Sequence, residues 1–184
     1  CALPIYLFVT SLSPTLAAQS LCDVRLRKMI LETAQLLCTE LRRRGADYMP
    51  YRPTHPQHPV TLSLRNDGVL LWAEEYFIEL HTEYIIRFAK EHKSFIDCIV
   101  KIQMAIGRYA NLKAPTNFSR FANCARNPAK GIDYTHKPLI EAYQAYLRAR
   151  WATDTRPPTW TNRSAPAWHQ GSNTTHSPIA ENSA

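Results

Sequence analysis

The sequence predicts a mainly α-helical protein: a single compact helical domain with a short N-terminal strand and a long irregular C-terminal segment. Three observations support this fold class. Apolar residues recur at helical spacing through several long segments. Only five glycines occur, and none forms a phosphate-binding or dinucleotide-binding loop. The 184 residues can bury one substantial core. We expect residues 1–168 to form the domain and residues 169–184 to be a disordered polar tail.

The N-terminal elements are predicted to be a strand and a long helix. The apolar run from Ala2 to Val9 contains a proline and lacks a basic flank, which indicates a short strand rather than a signal peptide. A helix is predicted from Thr15 to about Arg43, with Ser13 as its N-cap and Pro14 at the first helical position. Gly45 is expected to end this helix, after a basic run that suits a helix C-terminus.

The rest of the chain is predicted to form three further helices. Apolar periodicity places them at residues 69–93, 94–110 and 139–151. A proline-rich loop at residues 46–59 precedes the first of these helices. Residues 111–137 are basic and rich in asparagine, which predicts an irregular segment.

Charge and cysteine content narrow the classes of function. The net charge of +7 and the pI near 9.3 favour an acidic partner, nucleic acid before a membrane surface. A basic surface that serves only solubility is the alternative. No stretch approaches the roughly 20 apolar residues of a membrane-spanning helix. The five cysteines are scattered and form no C-x-x-C pair, which favours reduced thiols in the cytoplasm.

The first long helix carries a narrow polar stripe, defined as Arg25, Lys28, Glu32, Gln35 and Thr39. These residues follow one another at steps of three and four, so they share one face of a helix that is otherwise apolar nearly all round. The stripe either faces solvent, with Lys28 and Glu32 as an ordinary surface ion pair, or lines a site. In a partly dry cleft the carboxylate can act as an acid, as a base or as a stabiliser of positive charge.

The second long helix offers another charged series. Glu79, Glu83, Arg87 and Lys90 follow helical spacing, and His92 comes shortly afterwards. A solvated ladder of ion pairs is the simpler interpretation of this spacing. The alternative is that its cations hold phosphate groups.

Histidine and tryptophan residues form two further motifs. His55 and His58 lie in the proline-rich loop as H-P-Q-H, without the helical motif or cysteine pair of common metal sites, so no metal is predicted. We expect this loop to be held in place or to contact substrate. Trp151, Trp160 and Trp168 alternate with arginines. They are expected to form a hydrophobic clasp over the core, with base stacking as the alternative.

Several segments resemble a phage protein family. Residues 22–37 resemble its C-D-K-H-V-V-K-M-x-L-E-T-A-Q-x-L run. Residues 51–59 resemble its Y-[KR]-P-T-H-x-x-H-P loop, and residues 83–94 resemble its E-Y-x-x-R-Y-x-K-x-H-K-S segment. Residues 142–146 and 160–168 resemble its A-Y-x-x-Y and W-x-N-R-x-x-P-x-W ending. Together the matches extend over most of the predicted domain.

Through related bacterial proteins this family is similar to pyrimidine-dimer DNA glycosylases of the endonuclease V type. The resemblance implies a helical fold that displaces a base from DNA, an amine nucleophile and a helix carboxylate nearby. Cys1 would supply the amine only after removal of a preceding methionine, and a frayed terminal residue is the simpler interpretation. The family's Lys-His pair is Val24-Arg25 here, and residues 60–71 depart from its pattern.

We therefore expect a cytoplasmic, phage-type protein that acts on DNA by glycosylase-like base excision or by base-modifying chemistry. DNA is the expected partner, with no membrane, cofactor or metal. The predicted catalytic residues are Glu32 and Lys28. The predicted substrate-binding residues are Arg25, Gln35, His55, His58, Arg87, Lys90 and His92. The alternative is a non-catalytic nucleic-acid-binding accessory protein: a converging polar site favours the enzyme, and a flat basic face favours the accessory protein.

Overall fold

The computed structural model describes residues 7–169, and helices dominate this part of the chain. The α-helices are α1 (Pro14–Ser20), α2 (Asp23–Arg43), α3 (Pro59–Ser63), α4 (Asp67–Phe88), α5 (Lys93–Tyr109) and α6 (Leu139–Thr153). Two short strands, β1 (Arg126–Asn127) and β2 (Ile132–Asp133), pair antiparallel. The mainly α-helical fold class is therefore confirmed. The predicted polar tail lies, except for its first residue, outside the described residues.

The predicted N-terminal strand is not formed in its described part. Leu7, Phe8 and Val9 are buried but belong to no strand. Their apolar side chains serve a different purpose, because the ring of Phe8 packs against Tyr143 and Tyr146 of α6 at centroid distances of 5.8 and 6.1 Å. Residues 7–9 therefore attach the N-terminal part of the described chain to α6 instead of pairing with another strand. Residues 2–6 of the predicted strand lie outside the described residues.

The predicted first helix is divided into α1 and α2. The two residues between Ser20 and Asp23 have extended backbone. The break is held by Arg87 of α4, whose guanidinium donates to the carbonyl oxygens of Gln19 and Leu21. Apolar residues continue through the break at helical spacing, so the local pattern did not reveal it.

Helix α2 lies at the centre of the fold and packs against α4 and α5. Its side chains Leu26, Ile30, Leu37 and Leu41 are completely buried. Each such side chain contributes about 1.5–3 kcal/mol relative to an exposed one. The apolar faces of α2 therefore fix its orientation, and its polar stripe is presented from a rigid helix.

The remaining predicted helices correspond to α4, α5 and α6, with one boundary moved. Helix α4 ends at Phe88 because Ala89 adopts a left-handed backbone with φ of 51°. Lys90 and His92 consequently lie in the connection to α5 rather than on a continuous helix. The short helix α3 was not predicted. It begins at Pro59, where the proline-rich loop ends.

Candidate functional site

A cleft of about 410 Å³ opens where the beginning of α2 meets the end of α6. Its cationic side chains are Arg25 and Lys28 from α2, Arg150 from α6 and Arg156 from the segment that follows α6. We call it the cationic cleft. Among residues 7–169 a single carboxylate, Asp154, lines it. Its other lining residues are mostly apolar: Phe8, Cys22, Val24, Met29, Tyr146, Thr155, Pro157 and Pro158.

Asp154 holds two of these cations in place. Its carboxylate lies 2.7 Å from Nη2 of Arg25 and 3.8 Å from Nη2 of Arg150. Arg25 also donates to the sulfur of Cys22 at 3.4 Å, and its guanidinium carbon lies 5.9 Å from the ring centroid of Trp151. Arg25 is therefore fixed from three sides. The cleft keeps a surplus of positive charge, because its four cations outnumber Asp154 and the Glu32 carboxylate that pairs with Lys28.

Lys28 and Glu32 form an ion pair at the margin of the cleft. Nζ of Lys28 lies 3.1 Å from Oε1 of Glu32, with 46% of the lysine side chain exposed but only 9% of the glutamate side chain. The carboxylate acts electrostatically on a buried neighbour from α4: burial and the charge of Glu32 both raise the pKa of Tyr76. The stripe therefore opens into the cleft at Lys28 and turns towards the core at Glu32.

The other end of the stripe contacts the proline-rich loop. The backbone N–H of Thr54 donates to the hydroxyl of Thr39 at 3.0 Å, and that hydroxyl donates to the carbonyl of Gln35 at 2.7 Å. His55 follows directly after this attachment. Thr39 is separated from Arg25 by about 21 Å of helix, at a rise of 1.5 Å per residue. The structure therefore joins Arg25 and Lys28 to α6, while Gln35 lies towards the histidine loop.

Two of the predicted site histidines are helix caps. Nδ1 of His58 accepts the backbone N–H of Val60 at 3.3 Å, and Nδ1 of His92 accepts that of Ser94 at 3.2 Å. Burial lowers the pKa of both side chains, and the neighbouring His55 lowers the pKa of His58 further. Both caps need a neutral imidazole, because a protonated Nδ1 cannot accept a hydrogen bond. Their geometry assigns them to the starts of α3 and α5 rather than to the cleft.

Arg87 is a buried structural residue. Its side chain is fully buried and forms ion pairs with Glu83 at 2.7 Å and Asp23 at 3.0 Å. Glu83 also accepts a hydrogen bond from Arg163. The solvated ladder expected for Glu83 and Arg87 is therefore wrong, and a phosphate-binding role does not fit Arg87, because protein groups already surround its guanidinium. Lys90 is exposed and does not line the cleft.

Sequence reasoning missed the α6 side of the cleft. Arg150, Asp154 and Arg156 come from the region where arginines alternate with tryptophans, for which a hydrophobic clasp was expected and base stacking was the alternative. The clasp is present: the ring centroid of Trp151 lies 5.2 Å from that of Trp160 and 5.5 Å from that of Trp168. The alternation was therefore a signal for two features at once, aromatic packing inside and cations outside.

Comparison with known proteins adds no assignment. Searches against protein-family models, curated proteins and solved structures find no match to the chain. Within residues 7–169 no group of three or more His, Cys, Asp or Glu side chains is placed to hold a metal ion. None of the helices in that range is both long and apolar enough to cross a membrane. The interpretation of the site depends on the chemistry of the cleft.

Proposed function

We propose that this protein binds DNA, with phosphate groups of one strand held in the cationic cleft. The observation that carries the proposal is the convergence of four cationic side chains from α2, α6 and the following segment on one concave surface. Arginine and lysine are the main protein ligands of phosphate oxygens. The net charge of +7 supports the same partner, because a basic protein attracts a polyanion from a distance.

The four cations differ in how available they are. Arg25 and Arg150 already share the Asp154 carboxylate, whereas Lys28 is 46% exposed and Arg156 is exposed. We therefore expect Lys28 and Arg156 to make the first phosphate contacts.

The first test of this proposal compares affinities. A double variant, Lys28→Ala with Arg156→Ala, is titrated into a fluorescently labelled duplex and followed by anisotropy. We expect at least about tenfold weaker binding, because two phosphate contacts are lost. The control is Lys113→Ala, which removes an exposed cation beyond the end of α5, a region that contacts the far end of α2 through Tyr109 and Arg44. An equal loss in the control would contradict a role for the cleft.

Base excision is a second candidate function, favoured by the Lys28–Glu32 pair. A largely buried carboxylate 3.1 Å from a half-exposed amine can accept a proton from that amine. The neutral amine would attack C1′ of a deoxyribose, and the base would leave with the electrons of the glycosidic bond and take up the proton that the amine nitrogen releases. The C1′–O4′ bond would then break as the nitrogen forms a Schiff base, and O4′ would take up the proton held by Glu32. Water would hydrolyse the Schiff base, which releases an abasic sugar and restores the amine.

A further inference from the structure

A second pocket, of about 600 Å³, lies next to the cationic cleft. The same two segments line both cavities: Phe8 and Cys22 line the cleft, and Thr10 and Ser20, each two residues away, line the pocket. The hydroxyls of Thr10 and Ser20 are hydrogen-bonded at 2.8 Å, which ties the N-terminal segment to the end of α1. We call this second cavity the amide pocket, after its side chains Gln19, Gln144 and Asn162.

The amide pocket offers hydrogen-bond donors and no carboxylate among its lining residues. The backbone carbonyl of Gln19 accepts a hydrogen bond from Arg87 at 3.0 Å, but its side-chain amide makes no hydrogen bond to a protein group within residues 7–169. Nε of Arg163 is held by Glu83, whereas its two terminal nitrogens have no protein acceptor in the same part of the chain. Arg163 and Gln19 therefore present unused donors, which suit a ligand with exposed carbonyl oxygens.

Apolar surface faces these donors across the pocket. Leu16 is 57% exposed and Trp168 is partly buried, and both line the pocket together with Pro166. The ring of Trp168 is supported on Trp151, with an interplanar angle of 13°. A ligand that combines a flat apolar face with carbonyl groups along its edge matches this arrangement. Nucleobases have this character, because each presents a planar ring face and several carry carbonyl oxygens at the ring edge.

We propose that the amide pocket binds one carbonyl-bearing nucleobase, such as thymine or guanine, either as a free nucleoside or within bound DNA. For bound DNA this inference rests on the proposed function, because the strand must first be held by its phosphates in the neighbouring cleft. Gln19 and Arg163 donate to the base edge, and Leu16 and Trp168 pack against it. The amide pocket then distinguishes DNA that has an unpaired base from a sugar-phosphate backbone without bases. The cationic cleft alone cannot do this, because it contacts only phosphate groups.

The experiment distinguishes the contribution of the base to affinity from that of the phosphate groups. Anisotropy titrations compare a 12-residue oligothymidylate with a 12-unit oligomer that has the same backbone but abasic sugars. Wild-type protein is expected to bind the thymidylate about tenfold more tightly. Gln19→Leu keeps the size of the side chain and removes its donor, so it should reduce that preference to about twofold and leave affinity for the abasic oligomer unchanged. Gln57→Leu, at an exposed glutamine of the proline-rich loop, is the matched control.

A second arm uses free thymidine, which has no phosphate. Saturation-transfer NMR should show the thymine methyl and H6 signals with wild-type protein, lose them with Gln19→Leu and show none with glucose. Equal affinity for both oligomers, with no thymidine signal, would overturn this inference and leave phosphate binding intact. Failure to bind either oligomer would instead overturn the proposed function. The thymidine experiment alone would then show whether the amide pocket binds a nucleobase. If Gln19→Leu fails to fold, Leu16→Ser replaces it, because it removes exposed apolar surface that packs against the base.

Discussion

The guanidinium of Arg87 lies 3.0 Å from the carboxylate of Asp23, and the arginine side chain is fully buried. Asp23 also accepts hydrogen bonds from the hydroxyls of Thr159 and Thr161, both at 2.8 Å. One ion pair therefore joins α4, the start of α2 and the segment that returns after α6. These are the elements that place Arg25 and Arg156 at the cationic cleft, so the integrity of the cleft depends on a contact outside it.

Removal of Arg87 should destabilise the fold strongly. In the wild-type protein the Arg87 guanidinium pairs with the carboxylates of Asp23 and Glu83, and Arg87→Met leaves both without this cation. Removing one partner of a buried ion pair lowers the free energy of unfolding by about 3–5 kcal/mol. Urea unfolding followed by circular dichroism measures this loss. Lys90→Met, at an exposed residue near the end of the same helix, should change the free energy of unfolding by less than about 0.5 kcal/mol. A similar small change in Arg87→Met would contradict the structural role.

The two histidine caps should make stability depend on pH. Burial lowers the pKa of His58 and His92 in the folded protein, so the neutral form is favoured by folding. Their contribution is therefore present above the unfolded pKa of about 6.5 and is lost as pH falls through the lower folded values.

The variant His58→Asn with His92→Asn tests the cap account. Asparagine caps a helix without titrating in this range, so the urea midpoint of the double variant should fall less than that of wild type between pH 7.5 and pH 5. His136→Asn, at an exposed histidine, should keep the wild-type dependence. Identical pH profiles for wild type and the double variant would show that the caps do not carry the effect.

Neutralising Asp154 should strengthen DNA binding. This carboxylate lies 2.7 Å from Arg25 and lines the cationic cleft, where its negative charge repels phosphate groups. In Asp154→Asn one repulsive charge is lost, worth about 1 kcal/mol near water, or about fivefold in affinity. Anisotropy at fixed salt measures the change, with Asp97→Asn on α5 as the control. Weaker binding in Asp154→Asn would mean that Asp154 serves mainly to position Arg25.

The catalytic candidate is tested at Glu32. Duplexes that carry damaged pyrimidines are incubated with the protein and borohydride, which converts a Schiff base at Lys28 into a stable adduct. Glu32→Gln keeps the shape of the side chain and removes the proton acceptor, so the trapping rate should fall by at least about 100-fold. Thermal melting checks that the variant is folded, and Glu141→Gln on α6 is the control. Full trapping in folded Glu32→Gln would remove Glu32 from the site.

Features of the fold and the site that depend on residues close together in the sequence could be predicted. The helical spacing of Arg25 and Lys28 placed both on one face, and the structure shows that they line one cleft. The break between α1 and α2 was not predictable in this way, because it is held by Arg87, 66 residues from Leu21. Asp154, likewise, lies 129 residues from Arg25. Contacts of this kind depend on how helices pack, and no local pattern records them.

The histidine loop was predicted to supply substrate-binding residues to the same site as Glu32, because the resemblance includes His55 and His58 in one motif set with it. The structure ties this loop to Thr39, at the far end of the stripe from the cleft, through the bond from Thr54. A helix of 21 residues is too long for its two ends to share one small site.

The most direct test of DNA binding by the cationic cleft is the salt dependence of affinity. The slope of log affinity against log salt concentration counts the phosphate contacts of the protein, at about 0.9 per contact for duplex DNA. We predict a steep negative slope for wild-type protein and a slope shallower by about two for Lys28→Ala with Arg156→Ala. A wild-type affinity that does not change with salt, or equal slopes for the two proteins, would contradict the account.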